Sequence, residues 1–229
     1  MAAEARALRP LRQTTGGLHL RDDGTLVSIS GIGADAATSA AQSLASGGAT
    51  ALMSFGLAGG LDPALRPGSI VLPDQVMRRD GPAFATAQAW VGRLYCALSA
   101  TLPAGGSPAV RGRLLTTTRA VDDVAEKSAL FHTTGAVAVD MESAAVAAVA
   151  AQRGLPFVAV RVIVDTARDR LPKSVVAAST AGQVNVPKLI LGLMRAPTDV
   201  LPLLRLSRRF AAANASMRAV AAIIADAGP

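Results

Sequence analysis

The run from Ala136 to Asp165, AVAVDMESAAVAAVAAQRGLPFVAVRVIVD, constrains the fold more than any other part of the chain, because its hydrophobic pattern changes twice along its length. Ala136-Val137-Ala138-Val139 is a short run with β-branched residues that closes on Asp140. From Ser143 to Ala151 the alternation gives way to alanine-rich helix-forming sequence. Arg153-Gly154 then supplies the basic last turn and the glycine stop of a helix end. Pro156 restarts the chain, and Phe157 to Val164 is apolar except at Arg161, as in a strand covered on both faces of a parallel sheet. In an open parallel sheet, ligands sit beyond the carboxyl ends of the strands. An acidic residue follows each strand there: Glu142 after the first and Asp165 at the end of the second. Position alone leaves a plain reading open for each. Asp140 or Glu142 can merely balance the positive end of the following helix, and Asp165 can merely open a turn.

The rest of the chain fits around this unit. With 229 residues, 51% of them hydrophobic, it is long enough for one α/β domain with a full core and short for two. Only 3% are aromatic, so alanine, valine and leucine must build that core. The 23 Lys and Arg against 16 Asp and Glu, a net charge of +7, point to an anionic partner or surface. The arginines are scattered without interleaved aromatics, which speaks against a nucleic-acid stacking platform. Cys96 is the single cysteine, so no internal disulfide forms, and no Cys/His cluster has the spacing of metal ligands; a reducing cytoplasmic compartment is expected. No run approaches the roughly 20 apolar residues of a spanning helix, and no charged-then-apolar signal opens the chain.

Gly17 to Leu20 and Gly24 to Ser30 form a candidate strand pair around the turn Arg21-Asp22-Asp23-Gly24. The second strand runs into Ser30-Gly31-Ile32-Gly33 and then an alanine-rich helix, Ala34 to Ser46. That order suits an anion, because glycines let backbone N–H groups approach it and a helix N-terminus favours negative charge. It does not continue as G-x-G-x-x-G and has no acidic partner at the usual distance, so a dinucleotide cofactor is rejected. Ala49 to Phe55 is the next strand, and Gly56, Gly59 and Gly60 after it fit a sharp turn with the backbone against a ligand. Ala109 to Thr118 supplies another strand, with Arg119 at its exit. Prolines 187, 197 and 202 divide the tail into short helices, among them Lys188 to Arg195 and Leu201 to Phe210. Leucines and arginines share these segments, as at a membrane surface; a core-packing helix with a solvated basic face has the same pattern.

Val139-Asp140-Met141-Glu142-Ser143-Ala144-Ala145, followed by Pro156 to Asp165, resembles the signature of the nucleoside phosphorylase and nucleosidase superfamily. Its methylthioadenosine/S-adenosylhomocysteine nucleosidase branch has the same 23 positions between the glutamate and the aspartate. Gly56-Leu57-Ala58-Gly59-Gly60-Leu61, with Asp62-Pro63, Leu65 and Pro67-Gly68, is similar to the second signature. The resemblance implies a single-domain α/β fold over residues 1–229, a three-layer α/β/α sandwich with a mixed central sheet. It implies that Asp165 assists departure of a purine base at N7 and that Met141 and Glu142 hold the ribose. Ala58, Gly59, Arg161 and Val164 would line the nucleoside, and Gly31, Gly33 or Arg119 would hold phosphate. No metal or organic cofactor is expected, inorganic phosphate being a co-substrate. Met1 to Leu8 resembles the loop and first helix that follow the family's first strand, so that strand is expected to be missing. Glu4 then aligns with the acidic residue that activates water in the nucleosidases. Leu57 departs from the family, because many members carry serine there.

Ser54 to Leu61, the Ala2-Ala3-Glu4-Ala5 start and the basic, leucine-rich tail are similar to the hopanoid-associated phosphorylases, which release adenine from adenosylhopane. That resemblance implies a phosphorylase acting on a lipid-linked nucleoside, a cytoplasmic homo-oligomer whose helical part, 172–229, touches the inner face of the membrane. Hydrolysis of methylthioadenosine or S-adenosylhomocysteine, with water activated by Glu4, is the alternative. A non-catalytic nucleoside- or lipid-binding protein is the rival from another class. A nucleic-acid partner is not expected.

Overall fold

The computed structural model describes residues 2–8, 10–14, 17–101, 109–170, 179–180, 183–184 and 200–229. Helix α1 (Ala2–Ala7) leads into a small antiparallel sheet of β1 (Arg12–Gln13), β2 (His19–Leu20) and β3 (Leu26–Val27). Helix α2 (Ala34–Ser46), β4 (Leu52–Gly60), β5 (Ile70–Arg78), β6 (Ala83–Ala85), α3 (Gln88–Thr101) and β7 (Ala109–Thr116) follow. Then come α4 (Val124–Thr134), β8 (Ala136–Asp140), α5 (Ser143–Arg153) and β9 (Phe157–Asp165). Two short strands, β10 (Ser179–Thr180) and β11 (Gln183–Val184), pair with each other, and α6 (Val200–Ile223) packs back on the core.

The central sheet has the order β6-β5-β7-β8-β4-β9. It is mixed: β5, β7 and β8 run parallel, β4 and β9 run parallel, and the two groups meet through the antiparallel pair β4 and β8. The sheet also curls back on itself, because β9 pairs antiparallel with β5 through Ile70 with Val162 and Val71 with Arg161. The continuous apolar sequence of β9 is explained by layers on both sides. Val158, Val160 and Val162 pack with Trp90 and Leu94 of α3 and Met217 of α6, whereas Phe157, Ala159 and Ile163 pack with Ala41 of α2 and Ala147 of α5. Burial of each large apolar side chain contributes about 1.5–3 kcal/mol, so both layers hold this strand and the aspartate at its end.

Two expectations are corrected. The glycines after Phe55 do not make a sharp turn; β4 stays extended to Gly60, with an irregularity between Ala58 and Gly59 in its register with β9. They supply lateral room instead. A Cβ on Gly56 would lie 3.0 Å from Arg161 Nη1, and one on Gly59 would lie 3.2 Å from Asp165 Oδ2. The segment from Leu201 to Phe210 is likewise no separate short helix, because it belongs to the 24-residue α6. Pro202 stands in the first turn, where the missing N–H breaks no intrahelical bond. The expected helix Lys188 to Arg195 lies outside the described residues.

The N-terminal region bears on the site. From Leu52 to Ala58, β4 pairs with β9 on one edge only, and β8 joins it just at Gly59 and Gly60. Among the described residues no strand covers the other edge of that stretch.

Candidate functional site

The exit of β8 carries two carboxylates that the fold sends to different tasks. Asp140 Oδ2 accepts from the Ser143 N–H at 3.1 Å, so it takes the helix-start position that was open to either acid. It is buried, and it also accepts from Arg161 Nε at 2.8 Å and, through Oδ1, from the Thr116 hydroxyl at 2.7 Å. Arg161 Nη2 passes on to Ser54 Oγ at 2.7 Å. The guanidinium assigned to substrate is therefore 3% exposed and already bound to a carboxylate and a hydroxyl.

Glu142 turns the other way. Its Oε1 accepts from the Gly33 N–H at 2.9 Å, and its Oε2 from the Met141 N–H at 3.3 Å. Gly33 has φ of +95°, a conformation that glycine adopts without a Cβ penalty, and it directly precedes α2. The carboxylate proposed for ribose thus rests on the glycine loop offered to an anion.

A cavity of about 500 Å³ runs along the uncovered edge of β4, between residues 48–57 and residues 23–30. Glu4, Glu142 and Arg161 all border it, with Ser54, Phe55 and Leu57 beside them. Glu4 Oε1 would stand 3.7 Å from a Cβ on Gly56, the position that Arg161 Nη1 meets at 3.0 Å, so acid and guanidinium flank one glycine. Ala58, Gly59, Met141, Val164, Asp165, Gly31, Gly33 and Arg119 do not line this cavity. Val164 is half-buried against the α3 and α6 layer, and Arg119 is exposed and paired with Glu126 at 2.6 Å.

Asp165 ends β9 opposite Gly59 and is 4% exposed. Burial, the largest influence, pushes its carboxyl above the usual range. The charge and hydrogen bond of Lys127 act against that rise, Asp169 adds to it, and Arg209 opposes it. Lys127 was not foreseen. It is fully buried on α4, and its ammonium donates to Asp165 Oδ2, to Thr166 O at 2.9 Å and to Asp169 O at 3.0 Å. Its one sequence signal is its place three residues before the buried Leu130 and four before Phe131, the inward face of that helix. The loop after Asp165 is tied down as well, with Asp169 Oδ2 accepting from both the N–H and the hydroxyl of Thr166 at 2.8 Å.

Chemically, a carboxyl held toward its protonated form can donate to a leaving group. An ionised glutamate on a backbone amide can also accept charge-assisted hydrogen bonds from hydroxyls.

Residues 11–195 match the family described as Phosphorylase superfamily. Comparison with curated protein sequences gives no match. Among solved structures, the chain is similar to a Weissella paramesenteroides protein assigned as a methylthioadenosine nucleosidase, with 25% identity and a TM-score of 0.65 over 85% of this chain and 93% of that one. It is similar to the 5′-methylthioadenosine/S-adenosylhomocysteine nucleosidase of Neisseria meningitidis in complex with methylthio-immucillin-A, at 20% identity, TM-score 0.66, and coverage of 97% and 95%. A third likeness is to an aspartate-to-asparagine variant of the Helicobacter pylori nucleosidase with 5′-methylthioadenosine in its active site, at 16% identity, TM-score 0.68, and coverage of 98% and 96%. At their identities the last two likenesses are of fold.

Proposed function

The chain belongs to the phosphorylase superfamily, and from that premise we propose that it cleaves the N-glycosidic bond of a purine nucleoside. The observation that carries this reading is Asp165, a carboxyl that burial holds above the usual range at the end of β9. In the proposed reaction the C1′–N9 bond breaks with its electron pair leaving on the purine, while Asp165 gives its proton to N7. Such general-acid help is worth about 10²- to 10⁴-fold. Glu142 and Met141 hold the ribose, with Ala58 and Gly59 beside the nucleoside.

Water is the acceptor that the geometry favours. The Gly33 amide, assigned to phosphate with Gly31, already holds the Glu142 carboxylate, which repels an anion at that place. Glu4 borders the same cavity as Glu142 and takes the proton of the attacking water, so base and free sugar are the products. The nucleosidases named above support this version.

A second reading has an observation of its own. The cavity is lined by Leu8, Leu26, Ile29, Phe55 and Leu57, room for an apolar 5′ substituent, which supports phosphorolytic release of adenine from a lipid-linked nucleoside such as adenosylhopane. Arg119 would then serve phosphate, and contact with a membrane surface and homo-oligomer assembly go with this reading. No helix among the described residues is long and apolar enough to cross a membrane. The deciding experiment incubates the protein with methylthioadenosine, S-adenosylhomocysteine and adenosines of lengthening 5′ alkyl chain, with and without phosphate. Free sugar supports hydrolysis and sugar 1-phosphate supports the second reading. A protein that binds these nucleosides but releases no base from any of them is a binding protein, and the proposed reaction fails.

A further inference from the structure

We propose that Lys127 is a positioning residue of the site: its buried ammonium grips Asp165 by Oδ2 and leaves Oδ1 as the oxygen that meets the base. The inference rests on the reaction proposed above. An ammonium has three donors, and here each has an acceptor: Asp165 Oδ2, Thr166 O at 2.9 Å and Asp169 O at 3.0 Å. With no exposed surface and no spare donor, Lys127 is a fixed charge rather than a mobile one. A charge is retained in such a place only when it is paired and hydrogen-bonded, so the lysine, the aspartate and the loop carbonyls form one unit. The two oxygens of Asp165 are unequal as a result. Oδ2 is committed to Lys127, while Oδ1 accepts no hydrogen bond among the described residues.

The same arrangement governs the charge on Asp165. The other charged groups that face it are Asp169, from the loop after β9, and Arg209, from α6. Those two act in opposite directions and are paired with each other at 2.6 Å, which leaves Lys127 as the main electrostatic control. Its positive charge favours the carboxylate, against the burial that favours the acid. Lys127 therefore opposes the rise that burial imposes on this carboxyl and limits how tightly it holds its proton.

The test compares pH profiles of base release for wild type, Lys127→Met and Lys127→Arg, with circular dichroism to confirm folding. Base release needs protonated Asp165 and is lost as pH rises through its pKa. Without the lysine charge that limb moves to higher pH by about 1–3 units, the effect of removing an adjacent opposite charge. Lys127→Arg keeps the limb near its wild-type position and lowers kcat, because a planar fork cannot hold Oδ2 as the ammonium does. A lysine that only stabilised the fold would change activity without moving the limb. The Asp165 carboxyl is also titrated by ¹³C NMR, its signal identified by its absence in Asp165→Asn. That titration moves upward in Lys127→Met whether or not any nucleoside is cleaved, so failure of the reaction and failure of this inference are separable. If Lys127→Met does not fold, Lys127→Gln, which keeps a donor without the charge, takes its place. A limb and a carboxyl titration that both stay at their wild-type pH in the neutral variant overturn the proposal, as does a Lys127→Arg limb displaced as far as that of the neutral variant.

Discussion

Replacing Arg161 by methionine tests whether the Asp140 and Arg161 pair holds the sheet together or serves the ligand. Both residues are buried, at 5% and 3% exposure, and the Asp140 carboxylate has three donors: Arg161 Nε at 2.8 Å, the Thr116 hydroxyl at 2.7 Å and the Ser143 N–H at 3.1 Å. Methionine preserves most of the volume but removes the compensating charge, leaving a carboxylate with two neutral donors in a low-dielectric layer. Breaking a buried pair on one side costs about 3–5 kcal/mol, a large part of the roughly 5–15 kcal/mol that holds a domain. With a urea m-value near 3 kcal/mol/M, the midpoint should fall by about 1 to 1.7 M. The double variant Asp140→Asn/Arg161→Met removes both charges and should recover a good part of that loss, because no ion is left stranded. Urea melts followed by circular dichroism read all four corners of the cycle. A single variant that unfolds within about 0.3 M of wild type, a loss below about 1 kcal/mol at this m-value, would refute the reasoning. So would a double variant no more stable than the single one.

Four further outcomes follow from the same geometry. Asp165→Asn should abolish base release, by about 10²- to 10⁴-fold or more, yet largely spare nucleoside binding by calorimetry, because an amide N–H can still donate a hydrogen bond to N7 but cannot protonate it; near-normal turnover would remove Asp165 from the mechanism. Glu142→Gln should weaken contacts to the ribose hydroxyls worth about 1.5–3 kcal/mol each, so a 2′,3′-dideoxy substrate should lose little more on mutation; equal loss of those hydroxyls' contribution in both proteins denies the contact. Gly59→Ala places a Cβ 3.2 Å from Asp165 Oδ2 and 3.4 Å from Val139 Cγ1, and should cost about 1–3 kcal/mol in urea melts together with base release. For Asp169, burial opposes the charged form, but hydrogen bonds from Thr166 and the Arg209 charge outweigh it and hold the carboxyl below its usual range. Its stabilisation is then present above the unfolded pKa of about 3.9 and is lost as pH falls through the lower folded value. Thermal melts between neutral and strongly acid pH should show wild type losing more stability than Asp169→Asn, and parallel losses would exclude the effect.

How far the chain can be read without its structure depends on the range of the forces concerned. Helices α2 and α5 and strand β9 are legible almost to their ends, because apolar period, alanine content and the Gly154 stop act within a few residues. An α/β architecture and the placing of Glu142 and Asp165 at strand exits follow from the same local signals, whereas the mixed central sheet is implied only by the family resemblance. What the sequence leaves open is which acid does what. Asp140 and Glu142 stand two residues apart with equal local claims; the fold gives one to Arg161, 21 positions on, and the other to Gly33, 109 positions back. Gly56 and Gly59 look like turn residues in the chain, whereas in the sheet they make room for side chains of the neighbouring strand. Lys127 reads as one more charge on a helix until the fold brings it, 38 positions from Asp165 in the sequence, within a hydrogen bond of that carboxylate. Secondary structure is written by short-range sterics and periodicity. Charge pairing, lateral space and the state of a buried carboxyl arise only where distant strands are brought together and water is excluded between them.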